Sequence, residues 1–80
     1  MDDAAIVHRI NELAEEEHRL ELSKTGSGLT DEEKDRIRSI EIALDQCWDL
    51  LRRRRARREV GQDPDDVSLR PAEVVEGYQQ

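Results

Sequence analysis

The residues Ile37, Ile40, Leu44, Cys47 and Leu51 recur at intervals of three, four, three and four, the period of one helical face laid against a partner helix. This stripe runs directly into Arg52-Arg53-Arg54-Arg55-Ala56-Arg57-Arg58. The next positions in register are Arg54 and Arg58, so the helix continues where its apolar packing surface ends. An arginine-covered helix end has to find carboxylates, phosphates or open water. That requirement governs how the rest of the chain folds around it.

Eighty residues make at most one small domain. The core candidates are Ile6, Val7, Ile10, Leu13, Leu20, Leu29, Ile37, Ile40, Leu44, Cys47, Trp48 and Leu51. They are few against the entropy of ordering the chain, which favours self-association. The net charge of −7 is strongly segregated: −7 over residues 1–35, +4 over 36–60 and −4 over 61–80. Such a chain neutralises itself by folding back, or neutralises a copy of itself. The acidic balance argues against general affinity for nucleic acid or an anionic membrane. The single cysteine forms no internal disulfide, which fits a reducing compartment. The acidic start Met1-Asp2-Asp3 resembles no leader peptide, and no segment approaches the roughly 20 apolar residues of a membrane span. A cytoplasmic protein is expected.

Asp2 or Asp3 can cap a first helix, on which Ile6, Ile10, Leu13, Glu17 and Leu20 share a face. That helix is expected over about 3–23, ending at the turn Lys24-Thr25-Gly26-Ser27-Gly28. Thr30 and Glu33 have the spacing of a capping box, in which each side chain reaches the other's backbone amide. They start a second helix expected over about 30–60, with Gly61 as the left-handed residue beyond its end. The short loop makes the two antiparallel neighbours. Centring the turn on Gly26 sets Leu13 near Ile40, Ile10 near Leu44 and Ile6 near Cys47 and Trp48. The arginine run then overhangs, with Asp2 and Asp3 its nearest acids. Beyond Gly61, two prolines and a loss of helical period predict an extended tail over 62–80, and Val67, Leu69, Val74, Val75 and Tyr78 supply it with apolar docking groups.

Arg52, Arg53, Arg54, Arg55, Arg57 and Arg58 surround the helix rather than lining one face. No aromatic residues interleave with them to stack bases. Pairing with Asp63, Asp65, Asp66 and other acids, or with a second chain, is favoured; phosphate contact in a nucleic-acid-associated protein is the alternative. Cys47 on the seam reads as a small hydrophobe. Trp48 widens the apolar face beyond what one helix covers, so either the tail packs on it or a second copy does. The tail is expected to carry Val67 and Leu69 to the Trp48 and Leu51 patch. Glu15 and His18 have the Glu-x-x-His spacing of a di-iron bundle once, without a match on the second helix, and Glu17 is expected to meet Arg36.

The segments Glu15-Glu16-Glu17-His18, Ile40-Glu41, Leu44-Asp45-Gln46-Cys47-Trp48-Asp49-Leu50-Leu51-Arg52 and Arg70-Pro71 through Val75-Glu76-Gly77-Tyr78 are together familiar. Over essentially its whole length the chain resembles a family of small actinobacterial proteins catalogued as domain of unknown function 2630. The resemblance carries no catalytic residue. It implies that the tail belongs to the protein, with Val75, Glu76, Gly77 and Tyr78 as a docking segment.

The expected fold is all-α: an antiparallel helical hairpin over 1–61 with an extended tail docked on it. The expected function is that of a non-enzymatic interaction module without cofactor or metal, a homodimer joined through Leu44, Cys47, Trp48 and Leu51.

Overall fold

The computed structural model describes residues 2–23 and 28–76. Helix α1 spans Asp3–Ser23 and α2 spans Asp31–Glu59; a 3-10 turn at Pro64–Asp66 and a short helix α3, Ala72–Glu76, follow. The fold is all-α, with no strand among the described residues. Most of the connecting turn, residues 24–27, lies outside them, as do Gly77 and Tyr78.

Local chemistry sets each helix boundary. The Ala5 amide donates to Asp2 Oδ1 at 2.8 Å, which caps α1. At the start of α2 the Thr30 amide donates to Glu33 Oε1 at 2.9 Å and the Glu33 amide to Thr30 Oγ1 at 3.1 Å, a complete capping box. At its end Gly61 takes φ +76°, a left-handed conformation that needs no Cβ. The Gln62 amide then reaches Arg57 O at 2.8 Å and the Gly61 amide reaches Arg58 O at 3.1 Å, closing the helix in a Schellman motif.

Two cross-helix ion pairs register the antiparallel hairpin. Arg54 meets Asp3 at one end and Arg36 meets Glu16 near the turn, both at 2.6 Å. Between them the core holds Ile6, Ile10 and Leu13 of α1 against Ile40, Cys47, Leu50 and Leu51 of α2. Leu20, Ala43, Leu44 and Val67 are half-buried against it. Four core candidates lie outside this cluster: Leu29 and Ile37 are half-buried, Val7 is 41% exposed and Trp48 43%. Leu50, off the apolar stripe, is buried instead.

The tail explains that exchange. At about 3.6 residues per turn, Gln46, Asp49, Leu50 and Arg53 lie on one flank of the α2 seam, and Leu44, Trp48, Arg52 and Arg55 on the other. The tail holds the first flank: the Gln46 amide donates to Arg70 O at 3.1 Å, and Arg53 donates to Ser68 O. Val75 is buried and Val67 half-buried, whereas Leu69 and Val74 are 51% and 46% exposed. Of the expected delivery of Val67 and Leu69 to the Trp48 and Leu51 patch, Val67 does pack against the cluster that holds Leu51, while Leu69 and Trp48 remain exposed. The hydrogen bonds that anchor the tail lie across the seam from Trp48.

Candidate functional site

The arginine run is where the segregated charges meet. Arg54 is only 5% exposed, yet its guanidinium makes three hydrogen bonds. It donates to Asp3 Oδ1 at 2.6 Å, Asp65 Oδ1 at 2.8 Å and Pro64 O at 3.2 Å. Arg58 takes the other Asp3 oxygen. Arg57 donates to Gln62 Oε1 at 3.1 Å, and Arg53 to Asp49 Oδ2 at 3.0 Å. Helix one thus does reach the run, through the carboxylate at its own first turn. Of the three tail aspartates beside it, Asp65 pairs with Arg54. Asp63 accepts the Asp65 amide at 2.9 Å and caps the 3-10 turn, a position its short side chain suits. Asp63 and Asp66 form no ion pair among the described residues.

A second centre lies on the tail-bearing flank. Asp49 is 3% exposed and holds two arginines. Arg70 clamps both its oxygens as a fork, one of them Oδ2 at 3.0 Å, and Arg53 shares Oδ2. The pattern of the second helix singles out neither Asp49 nor Arg70. The available signal is Asp49-x-x-x-Arg53, an i,i+4 pair beside Leu50. The Arg70 and Arg53 hydrogen bonds and charges, against the opposing effect of burial, hold the Asp49 carboxyl below its ordinary value.

Near the turn, Glu16 and not Glu17 meets Arg36, in a bidentate pair at 2.6 and 2.7 Å. Glu17 is half-buried on the seam itself. Burial, and then the charges of Glu21 and Glu41, push its carboxyl above the usual range. Glu15 and His18 lie exposed on α1, and among the described residues no group of three His, Cys, Asp or Glu side chains is arranged to hold a metal. Burial raises the Cys47 thiol, as suits a packed hydrophobe rather than a nucleophile.

Asp3 makes this arrangement sensitive to acid. Its hydrogen bonds from Arg58, then Arg54, lower its pKa from 3.8 to about 2. A carboxylate depressed by folding contributes stability that is present above its unfolded value and lost as pH falls through the folded one. Asp49 acts in the same sense, while protonation of Glu17 relieves repulsion and acts against it. Stability should therefore fall between pH 3.8 and about 2. Urea midpoints measured across that window should show a shallower slope in Asp3→Asn; an identical slope would mean that Asp3 is uncoupled from folding.

Four of the six arginines are thus turned into the protein. Arg52 and Arg55 are exposed and have no hydrogen-bond or ion-pair partner among the described residues. They share the flank of Trp48. The expected interface residues part company here: Cys47 and Leu51 are 8% and 2% exposed in the monomer's own core, Leu44 is half-buried, and Trp48 stands out at the surface. Cys47 and Leu51 are consumed within the hairpin because they face α1 directly.

The family model described as protein of unknown function, DUF2630, matches residues 2–80. The chain belongs to this family. Its relatives include the uncharacterised proteins Rv0898c of Mycobacterium tuberculosis (strain H37Rv) and Mb0922c of Mycobacterium bovis. Each is 47% identical over 77 residues, covering 95% of this chain and 88% of the relative. No solved structure matches. The match to the DUF2630 model takes in the Asp49–Arg70 clamp and the acids on Arg54, so tail and hairpin belong to one family unit. Among the described residues no helix is long and apolar enough to cross a membrane.

Proposed function

We propose that this chain is a non-enzymatic cytoplasmic interaction module that self-associates through the Trp48 flank of α2. One observation carries this reading: Trp48 is 43% exposed, on the flank opposite the one where the described tail residues, 62–76, are anchored. A two-helix layer has two faces, and a stable domain needs a second layer over its apolar surface. The tail supplies that cover on one side. Trp48, Val7 and half-buried Leu44 remain on the other, and tryptophan is the residue type that most often anchors an interface.

The second reading, phosphate contact through the arginine run, draws only on Arg52 and Arg55, since Arg53, Arg54, Arg57 and Arg58 already serve protein oxygens. Two free arginines make a weak electrostatic footprint on a chain of net charge −7.

Sedimentation equilibrium of the full chain at micromolar concentrations tests both readings. The weight-average mass should rise towards that of a dimer with concentration. Trp48→Ala should weaken association by about 30-fold or more, the loss of one hot-spot anchor, with helical circular dichroism unchanged. A monomer at every concentration overturns the reading. Added duplex DNA or RNA at low salt should not co-sediment; binding that falls steeply with salt would favour the phosphate reading instead.

A further inference from the structure

The flank that carries Trp48 has a charge pattern that only an oppositely directed copy of itself would match. Reading along it, Glu41, Leu44, Trp48, Arg52 and Arg55 follow at three, four, four and three, a second helical stripe beside the core-facing one. Glu41 stands seven residues before Trp48 and Arg55 seven after it, about 10 Å to either side along the axis. Leu44 and Arg52 stand four residues before and after. The stripe is acidic at one end, basic at the other and centred on its aromatic.

Neither charge has a hydrogen-bond or ion-pair partner among the described residues. Glu41 is exposed and adds to the repulsion on Glu17. Arg55 is exposed and without a partner among the described residues. Arg53, Arg54 and Arg58 of the same run each pair with a carboxylate.

We infer that two copies pair face to face about a two-fold axis at Trp48, with their α2 helices antiparallel and Glu41 of each copy against Arg55 of the other. This rests on the self-association reading and specifies its geometry. An isologous contact needs a patch complementary to itself, and the two-fold at Trp48 satisfies this at three levels. Trp48 meets its own equivalent at the axis. Leu44 lies over the aliphatic stem of Arg52, whose charged end extends to water. Glu41 and Arg55 form two equivalent ion pairs at the rim. A parallel pairing would instead set Arg52 and Arg55 against arginines and Glu41 against glutamate.

Helix α1 supports the same axis. Between the Asp3–Arg54 and Glu16–Arg36 pairs, Val7 falls level with Trp48 and on the same side of the hairpin, and it too is exposed, at 41%. The two-fold therefore also brings Val7 to its own equivalent. Two hairpins so joined form a four-helix arrangement with antiparallel neighbours, covering the second face of each.

Reciprocal charge exchange in the full chain tests this. Both positions are exposed, so Glu41→Arg and Arg55→Glu should leave monomer helicity and melting at high dilution unchanged. In the dimer each single substitution sets two like-charged pairs against each other, and its dissociation constant should rise about tenfold or more in low salt. The double variant Glu41→Arg, Arg55→Glu restores both pairs and should return to within about threefold of the wild-type value. If the chain dimerises but the single variants bind as tightly as wild type, or the double variant fails to recover, this geometry is wrong while self-association stands. If no dimer forms at all, both readings fall together.

Discussion

Leu51→Ala is expected to lower the unfolding free energy by about 2–5 kcal/mol, the range for a large aliphatic side chain removed from a packed core. Leu51 is 2% exposed, and it packs where α1 comes to its end beside the arginine run. Among the described residues the buried apolar cluster has seven members, with four half-buried side chains packed on it, so neighbours have little material with which to refill the cavity. Small domains have few kcal/mol to lose, and the variant should be partly unfolded at ordinary temperature. Urea unfolding followed by circular dichroism measures this directly. A loss under about 1 kcal/mol would mean that the site collapses readily and that Leu51 is not a keystone of the hairpin.

Asp49→Ala should have the next largest effect, about 3 kcal/mol, because removing one partner of a buried ionic cluster leaves the remaining charges poorly compensated. The expectation stands at the lower end of the usual range because Arg70 and Arg53 are 27% and 25% exposed and can regain some water. The damage should also be local. With Asp49 gone, Arg70 loses both fork contacts, and the segment from Ser68 to α3 keeps only the Gln46 and Arg53 hydrogen bonds and the burial of Val75 to hold it on α2. Hydrogen exchange should show amides of residues 71–76 losing protection while those around Ile40 and Leu51 keep theirs. Equal loss in both places would mean that tail and hairpin unfold as one unit. The exposed Glu16–Arg36 pair is the contrast: Arg36→Ala should change stability little despite its bidentate geometry.

These two centres differ in how far the sequence discloses them. The spacing of Ile6, Ile10 and Leu13, and of Ile40, Cys47 and Leu51, determines that there are two helices and which faces meet, because helical periodicity is a property of the backbone that side-chain order must obey. Thr30 with Glu33, and Gly61, fix where α2 begins and ends, because capping uses residues within one turn of each other. The segregated charge already favours pairing of the arginines with acids of the same chain or of a copy.

Which acid meets which arginine was decided only in three dimensions. Asp3 reaches Arg54 and Arg58 because the hairpin register brings the first turn of α1 level with them. Glu16 rather than Glu17 takes Arg36, a pairing that helical spacing alone leaves open. Asp49 and Arg70, 21 residues apart, become partners because the tail turns to the Leu50 flank. That choice buries Leu50 and leaves Trp48 in the open. Periodicity along a helix specifies which residues share a face. It carries no information about which flank a returning segment will take, since that depends on long-range contacts made only after the chain has folded back.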